Sequence, residues 1–166
     1  MSWRRGCLAS KSDYLTPMPF PNLPAVLGEA LAARGYIEPT PVQAAVLEPE
    51  AAGRDLVVSA QTGSGKTVAF GMAMASELLQ PDGTAERGGS PLALVIAPTR
   101  ELALQVSREL VWLYGKAGAQ VATCVGGMDP SKERRSLSGG PQIVVGTPGR
   151  LRDGTARFGS APRAMR

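Results

Sequence analysis

The chain has 166 residues, enough for one domain with a buried core, and it is 43% hydrophobic against 19% charged, the balance of a soluble globular protein. No run approaches the about 18 apolar residues of a membrane span, and the basic start Met1-Ser2-Trp3-Arg4-Arg5 leads into no signal-peptide core, so no membrane partner and a cytoplasmic location are expected. With no histidine, and with Cys7 and Cys124 far apart, the composition argues against a zinc site, a disulfide framework and a cysteine–histidine nucleophile. The net charge of +4 is uneven, since residues 132–166 hold eight Lys/Arg against two acids. A basic C-terminal third suits a polyanionic partner, or equally a solvated tail.

Residues 1–17 show no periodicity and are expected to be a disordered leader, with Met18 a candidate translation start where organised sequence begins. A helix is expected from Leu23 to about Arg34, with Leu23, Leu27 and Leu31 on one face and Gly35 ending it. The turn Tyr36-Ile37-Glu38-Pro39-Thr40-Pro41-Val42-Gln43 follows, where Thr40 can cap a second helix with Pro41 at its first position. The Gln43 amide carries donors and an acceptor, the chemistry that reads an adenine edge.

Asp55-Leu56-Val57-Val58-Ser59 reads as a short buried strand, and residues 68–79, rich in Ala, Met and Leu, as a helix. Between them lies Ala60-Gln61-Thr62-Gly63-Ser64-Gly65-Lys66-Thr67, a glycine-rich turn that opens a helix, the context of a phosphate-binding P-loop. Gly63 and Gly65 let successive backbone N–H groups curl inward around phosphate oxygens, and the helix start adds unsatisfied N–H groups and the positive end of its dipole. Lys66 can reach the β- and γ-phosphates, and the Thr67 hydroxyl can coordinate Mg²⁺. Ala60 stands where the general pattern has its first glycine.

Residues 81–91 read as a surface loop, and the apolar run 92–97 as a strand covered on both faces. A helix is expected from about Thr99, its N-cap, to Tyr114, burying Leu102, Val106, Leu110 and Leu113. A strand over 120–125, a short helix over 130–137 and a strand over 142–146 complete the pattern. Strands alternating with helices predict an α/β fold, a parallel sheet with flanking helices, and the loops after its strands are where ligands bind.

In its motifs the chain resembles the first RecA-like domain of a bacterial-type DEAD-box ATP-dependent RNA helicase. Residues 35–43 resemble that family's Q motif, residues 60–67 its alanine-led P-loop, and Pro98-Thr99-Arg100-Glu101-Leu102-Ala103 its motif Ia; Gly126-Gly127 resembles its GG motif and Thr147-Pro148-Gly149-Arg150 its motif Ib. The resemblance implies a RecA-like P-loop NTPase domain over residues 18–152, with ATP and Mg²⁺ as ligands and RNA as partner of a monomer. Thr40 and Gln43 would recognise adenine; the family's stacking aromatic falls at Met18 here, so either Phe20, the nearest aromatic, fills that role with a shifted backbone or stacking is weakened. Gln61, Thr62, Gly63, Ser64, Gly65, Lys66 and Thr67 would hold the phosphates and metal, Lys66 and Thr67 being the catalytic pair. Pro98, Thr99, Arg100, Gly126, Gly127, Thr147, Pro148, Gly149 and Arg150 would contact the RNA backbone, largely without sequence preference.

The chain departs from the family after Leu151. It contains no Asp-Glu pair, where the family continues to Asp-Glu-Ala-Asp and a second RecA-like domain, and residues 153–166 read as an irregular basic tail. A truncated, incomplete domain is therefore expected, with negligible hydrolysis and no unwinding by these residues alone and with apolar surface left uncovered. A catalytically inactive ATP- and RNA-binding module, or a non-functional truncated helicase, is the alternative. An unrelated P-loop kinase or GTPase is disfavoured by the Q motif and the absence of an Asn-Lys-x-Asp run.

Overall fold

Residues 19–86 and 88–155 are described by the structure, a computed structural model. The expected leader and candidate start at Met18 lie outside them, as does the tail beyond Thr155. Helices α1 (Ala25–Ala33), α2 (Pro41–Val46), α3 (Lys66–Ala73) and α4 (Ala75–Leu78) precede strand β1 (Ala93–Ile96). Helix α5 (Arg100–Gly115), strand β2 (Val121–Cys124), helix α6 (Pro130–Ser138), strand β3 (Ile143–Gly146) and helix α7 (Pro148–Thr155) follow. The α7 helix runs past the expected start of an irregular tail at residue 153.

The three strands are parallel in the order β1-β3-β2, with Ala93 and Val121 both opposite Ile143. Because strand side chains alternate between faces, Ile143 and Val145 enter the main core with α3 and α5. Val144 joins Ala122, Cys124 and Leu151 on the other face, beneath α6 and α7. The result is helix, sheet, helix, as the sequence pattern predicts. Gly146 sits where β3 passes β2 closely, since a Cβ there would lie 2.5 Å from the Cys124 carbonyl oxygen.

Local signals explain most boundaries. Past α1, Gly35 takes φ +78°, its N–H bonds the Ala32 carbonyl and the Tyr36 N–H bonds Leu31, a Schellman ending. Thr99 caps α5 by accepting from the Leu102 N–H at 3.3 Å, and Asp129 caps α6 by accepting from the Ser131 N–H at 2.8 Å. The expected single helix over 68–79 is instead α3 and α4, divided at Met74. Beside that break, the buried Tyr114 hydroxyl donates to the Gly71 carbonyl at 2.5 Å, and burial raises its pKa well above the ordinary phenol value. Gly71 lets α3 and α5 meet closely, because an added Cβ would stand 2.8 Å from Leu113.

Two expectations fail. Residues 55–59 form no strand: among the described residues, backbone hydrogen bonds join none of them to any other segment, and Val57 is fully exposed. A strand exists only with a neighbour to pair with, and here β1 has one partner, β3, and carries Ile96 at 58% exposure on a strand expected to be covered. Apolar surface is thus uncovered at these places. Leu102 is the other failure: it is exposed, while Ala103 takes the buried position on α5.

Cys124 is fully buried, and burial, assisted by the Glu133 carboxylate, pushes its thiol from 9.0 up to about 11. An unfolded thiol releases its proton first, so stability is full below about pH 9 and declines as pH rises through the folded value. Denaturant titrations below and above that window should show the decline, and Cys124→Ala should reduce it.

Candidate nucleotide-binding loop and nucleic-acid interface

The glycine-rich loop is built as its sequence demands. Gly63 and Gly65 adopt φ +82° and +85°, conformations that side chains oppose, and Gly65 is the N-cap of the eight-residue α3. That helix therefore begins with no side-chain cap, its first N–H groups available at the loop. Lys66 folds back over the loop and donates to the carbonyls of Ala60 and Gln61, the latter at 2.6 Å. The Ser64 hydroxyl is buried with no hydrogen-bond partner among the described residues. Left-handed glycines, an uncapped helix start, a lysine held only by loop carbonyls and an orphaned hydroxyl together form a donor set suited to a phosphate chain. Thr67, at the second position of α3, supplies the hydroxyl that would face a Mg²⁺ carried with it.

The turn before α2 is fastened to this loop. Thr40 is the N-cap of α2, with Pro41 next, but its hydroxyl donates to the Ser64 carbonyl at 2.9 Å. Gln43 is completely buried: its Oε1 accepts from the Thr40 N–H at 3.0 Å and its Nε2 donates to the Gly65 carbonyl at 3.4 Å. A Cβ on Gly65 would come within 2.5 Å of that Nε2, so glycine is required there on two counts. In this arrangement Thr40 and Gln43 bind the loop, and no part of Gln43 is open to solvent. Of the two alternatives for Phe20, this arrangement favours weakened stacking. At 1% exposure it belongs to the main core, held there as Asn22 donates to the Leu47 carbonyl at 3.0 Å, and it offers no open ring face for stacking.

The residues expected to meet RNA come together at one end of the sheet. Pro98, Thr99 and Arg100 follow β1, Gly126 and Gly127 follow β2, and Thr147, Pro148, Gly149 and Arg150 follow β3. Because the strands are parallel, all three loops emerge at their carboxyl ends, where open α/β sheets bind ligands. Arg100 donates to the Gly126 carbonyl, and a side chain on Gly127 (φ +76°) would strike that guanidinium. The Thr147 N–H bonds the Cys124 carbonyl at 3.1 Å, fixing the third loop on the end of β2.

Arg150 pairs with Glu133 of α6 at 2.9 Å, the carboxylate being only 5% exposed. Glu133 is a residue that sequence reasoning passed over. Its signal was its place one turn before Leu137, on the side of α6 that must face the sheet. Gln142 was passed over as well. Buried at the start of β3, it accepts from the Gln120 N–H at 2.7 Å and donates to the Glu86 carbonyl at 2.6 Å.

The family model described as DEAD/DEAH box helicase matches residues 40–162. The DEAD-box ATP-dependent RNA helicase 3A, chloroplastic, of Zea mays is 45% identical over 135 residues, covering 80% of this chain and 18% of that protein. The ATP-dependent RNA helicase CshA of Listeria monocytogenes is 46% identical over 119 residues, 72% of this chain and 22% of its own. A solved structure of the RNA helicase Prp28 from Chaetomium thermophilum bound to ADP superposes with a TM-score of 0.73 at 35% identity, over 85% of this chain and 34% of that one. The chain thus spans about a fifth of the length of these two curated relatives.

Proposed function

We start from the family to which the chain belongs, the DEAD/DEAH box helicases, and propose that these residues are the nucleotide-gripping and RNA-facing part of an ATP-dependent RNA helicase. The observation that carries the reading is the loop of residues 60–67, two left-handed glycines at the uncapped head of α3 with Lys66 turned over them. Backbone N–H groups of residues 61–65 and the Lys66 ammonium would hold the phosphates of ATP, and the Thr67 hydroxyl would hold Mg²⁺. The metal, when bound, neutralises charge on the phosphates. Thr40 and Gln43 would set the base preference, from a turn already fastened to Ser64 and Gly65.

RNA would lie across the three loops at the carboxyl ends of the strands, its phosphates met by Arg100, Arg150 and backbone N–H groups. In the whole helicase, ATP turnover would be coupled to strand separation. For these 166 residues by themselves the reading is binding without turnover, because they contain no Asp-Glu pair and phosphoryl transfer needs a carboxylate-held metal and an oriented water.

Titration of the purified chain with fluorescent ATP and GTP analogues in Mg²⁺ tests this. Saturable binding that prefers ATP is expected. Equal affinity for both would remove the adenine role of Thr40 and Gln43, and no binding by folded protein would remove the nucleotide reading itself.

A further inference from the structure

We propose that the outward face of α6 is an additional phosphate-binding surface, which carries an RNA strand beyond the three loops; it rests on the RNA reading above. Helix α6 begins three residues after Gly127, and its N-cap is Asp129. Glu133 and Leu137, one turn apart, face the protein, the first buried against Arg150 and the second packed with the cluster under β2 and β3. At 3.6 residues per turn, Arg135 then projects opposite to them, with Lys132 and Arg134 to either side. All three are exposed, and none has an ion-pair partner among the described residues.

The arrangement concentrates charge. The one acid within the helix is withdrawn from the surface and neutralised, so the outer face presents three cations within about one turn. Like charges three residues apart weaken a helix, and α6 is a short helix with few apolar side chains to offset that cost. A polyanion laid along the face would remove the repulsion. Its source is indicated by continuity, because the same helix is bonded through Glu133 to Arg150, in the first turn of α7 after β3, and follows closely on the Gly126–Gly127 loop. A strand whose phosphates meet those loops has this face as its next cationic surface.

The test uses the 166-residue chain with the triple substitution Lys132→Gln, Arg134→Gln and Arg135→Gln, beside Arg135→Gln alone. Anisotropy of a labelled oligouridylate is followed from about 50 to about 200 mM KCl. Each phosphate contact on single-stranded RNA contributes about 0.7 to the slope of log affinity against log salt, so the triple variant should lose about 2 units of slope and the single variant about 0.7. Circular dichroism should show no loss of helix, since the three side chains are exposed and their substitution removes the mutual repulsion. If both variants keep the wild-type slope, the inference is overturned while the RNA reading stands. If the wild-type chain binds no oligouridylate, the RNA reading fails and takes this inference with it.

Discussion

Lys66→Ala should weaken MgATP binding by on the order of 10²-fold while leaving the unfolding midpoint nearly unchanged. The two effects separate because of where the side chain sits. Its ammonium is bonded to the carbonyls of Ala60 and Gln61 and to nothing in the core, so folding depends on it little. In the bound state the same ammonium would meet phosphate oxygens, and hydrogen bonds of that charged kind contribute about 1.5–3 kcal/mol each. Loss of about 3 kcal/mol corresponds to about a hundredfold in affinity. Nucleotide titration and thermal melts on the same preparations measure both quantities. Undiminished ATP binding by the variant would mean that this loop is not the phosphate site.

The second large effect concerns association. Leu56, Val57 and Val58 are exposed, unpaired, and border an open groove of about 450 Å³ whose other wall is Pro41, Val42, Ala45 and Val46. Apolar backbone with unsatisfied ladder groups is a template for pairing with another chain. The isolated chain should therefore self-associate with rising concentration, against the monomer expected from sequence. Val57→Lys should suppress this by on the order of tenfold in the association constant, for burying one valine is worth about 1.5 kcal/mol or more. Val57 packs on nothing, so monomer stability should move by less than about 0.5 kcal/mol. Sedimentation velocity over a concentration series reads the first quantity and chemical denaturation the second. Equal association of the two proteins would place the contact elsewhere.

The parts of the fold legible in sequence are those that local physics decides. Gly35 ends α1 because only glycine is at ease with φ +78°, and Thr99 starts α5 because its hydroxyl accepts from an orphan N–H. The strands around Val95 and Val144 are readable because parallel strands are apolar runs, and the β3 strand is buried throughout. The loop glycines are readable for the same reason as Gly35, and with them the candidate phosphate site. What sequence does not decide depends on neighbours distant in the chain. Residues 55–59 have the composition of a strand, but composition cannot provide a pairing partner. Gln43 reads as a base-recognising amide, and only tertiary structure reveals that both ends of it are bonded within the protein. Phe20 reads as the nearest ring for a nucleotide, and burial among Leu23, Leu27 and their neighbours settles it in the core. The Glu133–Arg150 pair joins residues 17 apart whose meeting requires β3 to lie beside β2.

That pair, with the bond from Arg100 to Gly126, also sets how a polyanion could leave. Both guanidiniums already have partners, so an arriving phosphate exchanges one bonded state for another instead of filling an empty one. Affinity at each contact is scaled down by the fraction of time the arginine is released. Drawing Arg150 away also leaves Glu133 as a buried carboxylate without its counter-charge, an unfavourable state that favours recapture of the arginine. The internal partners thus act as standing competitors for the same two cations. They favour short residence of any polyanion bound at these two arginines.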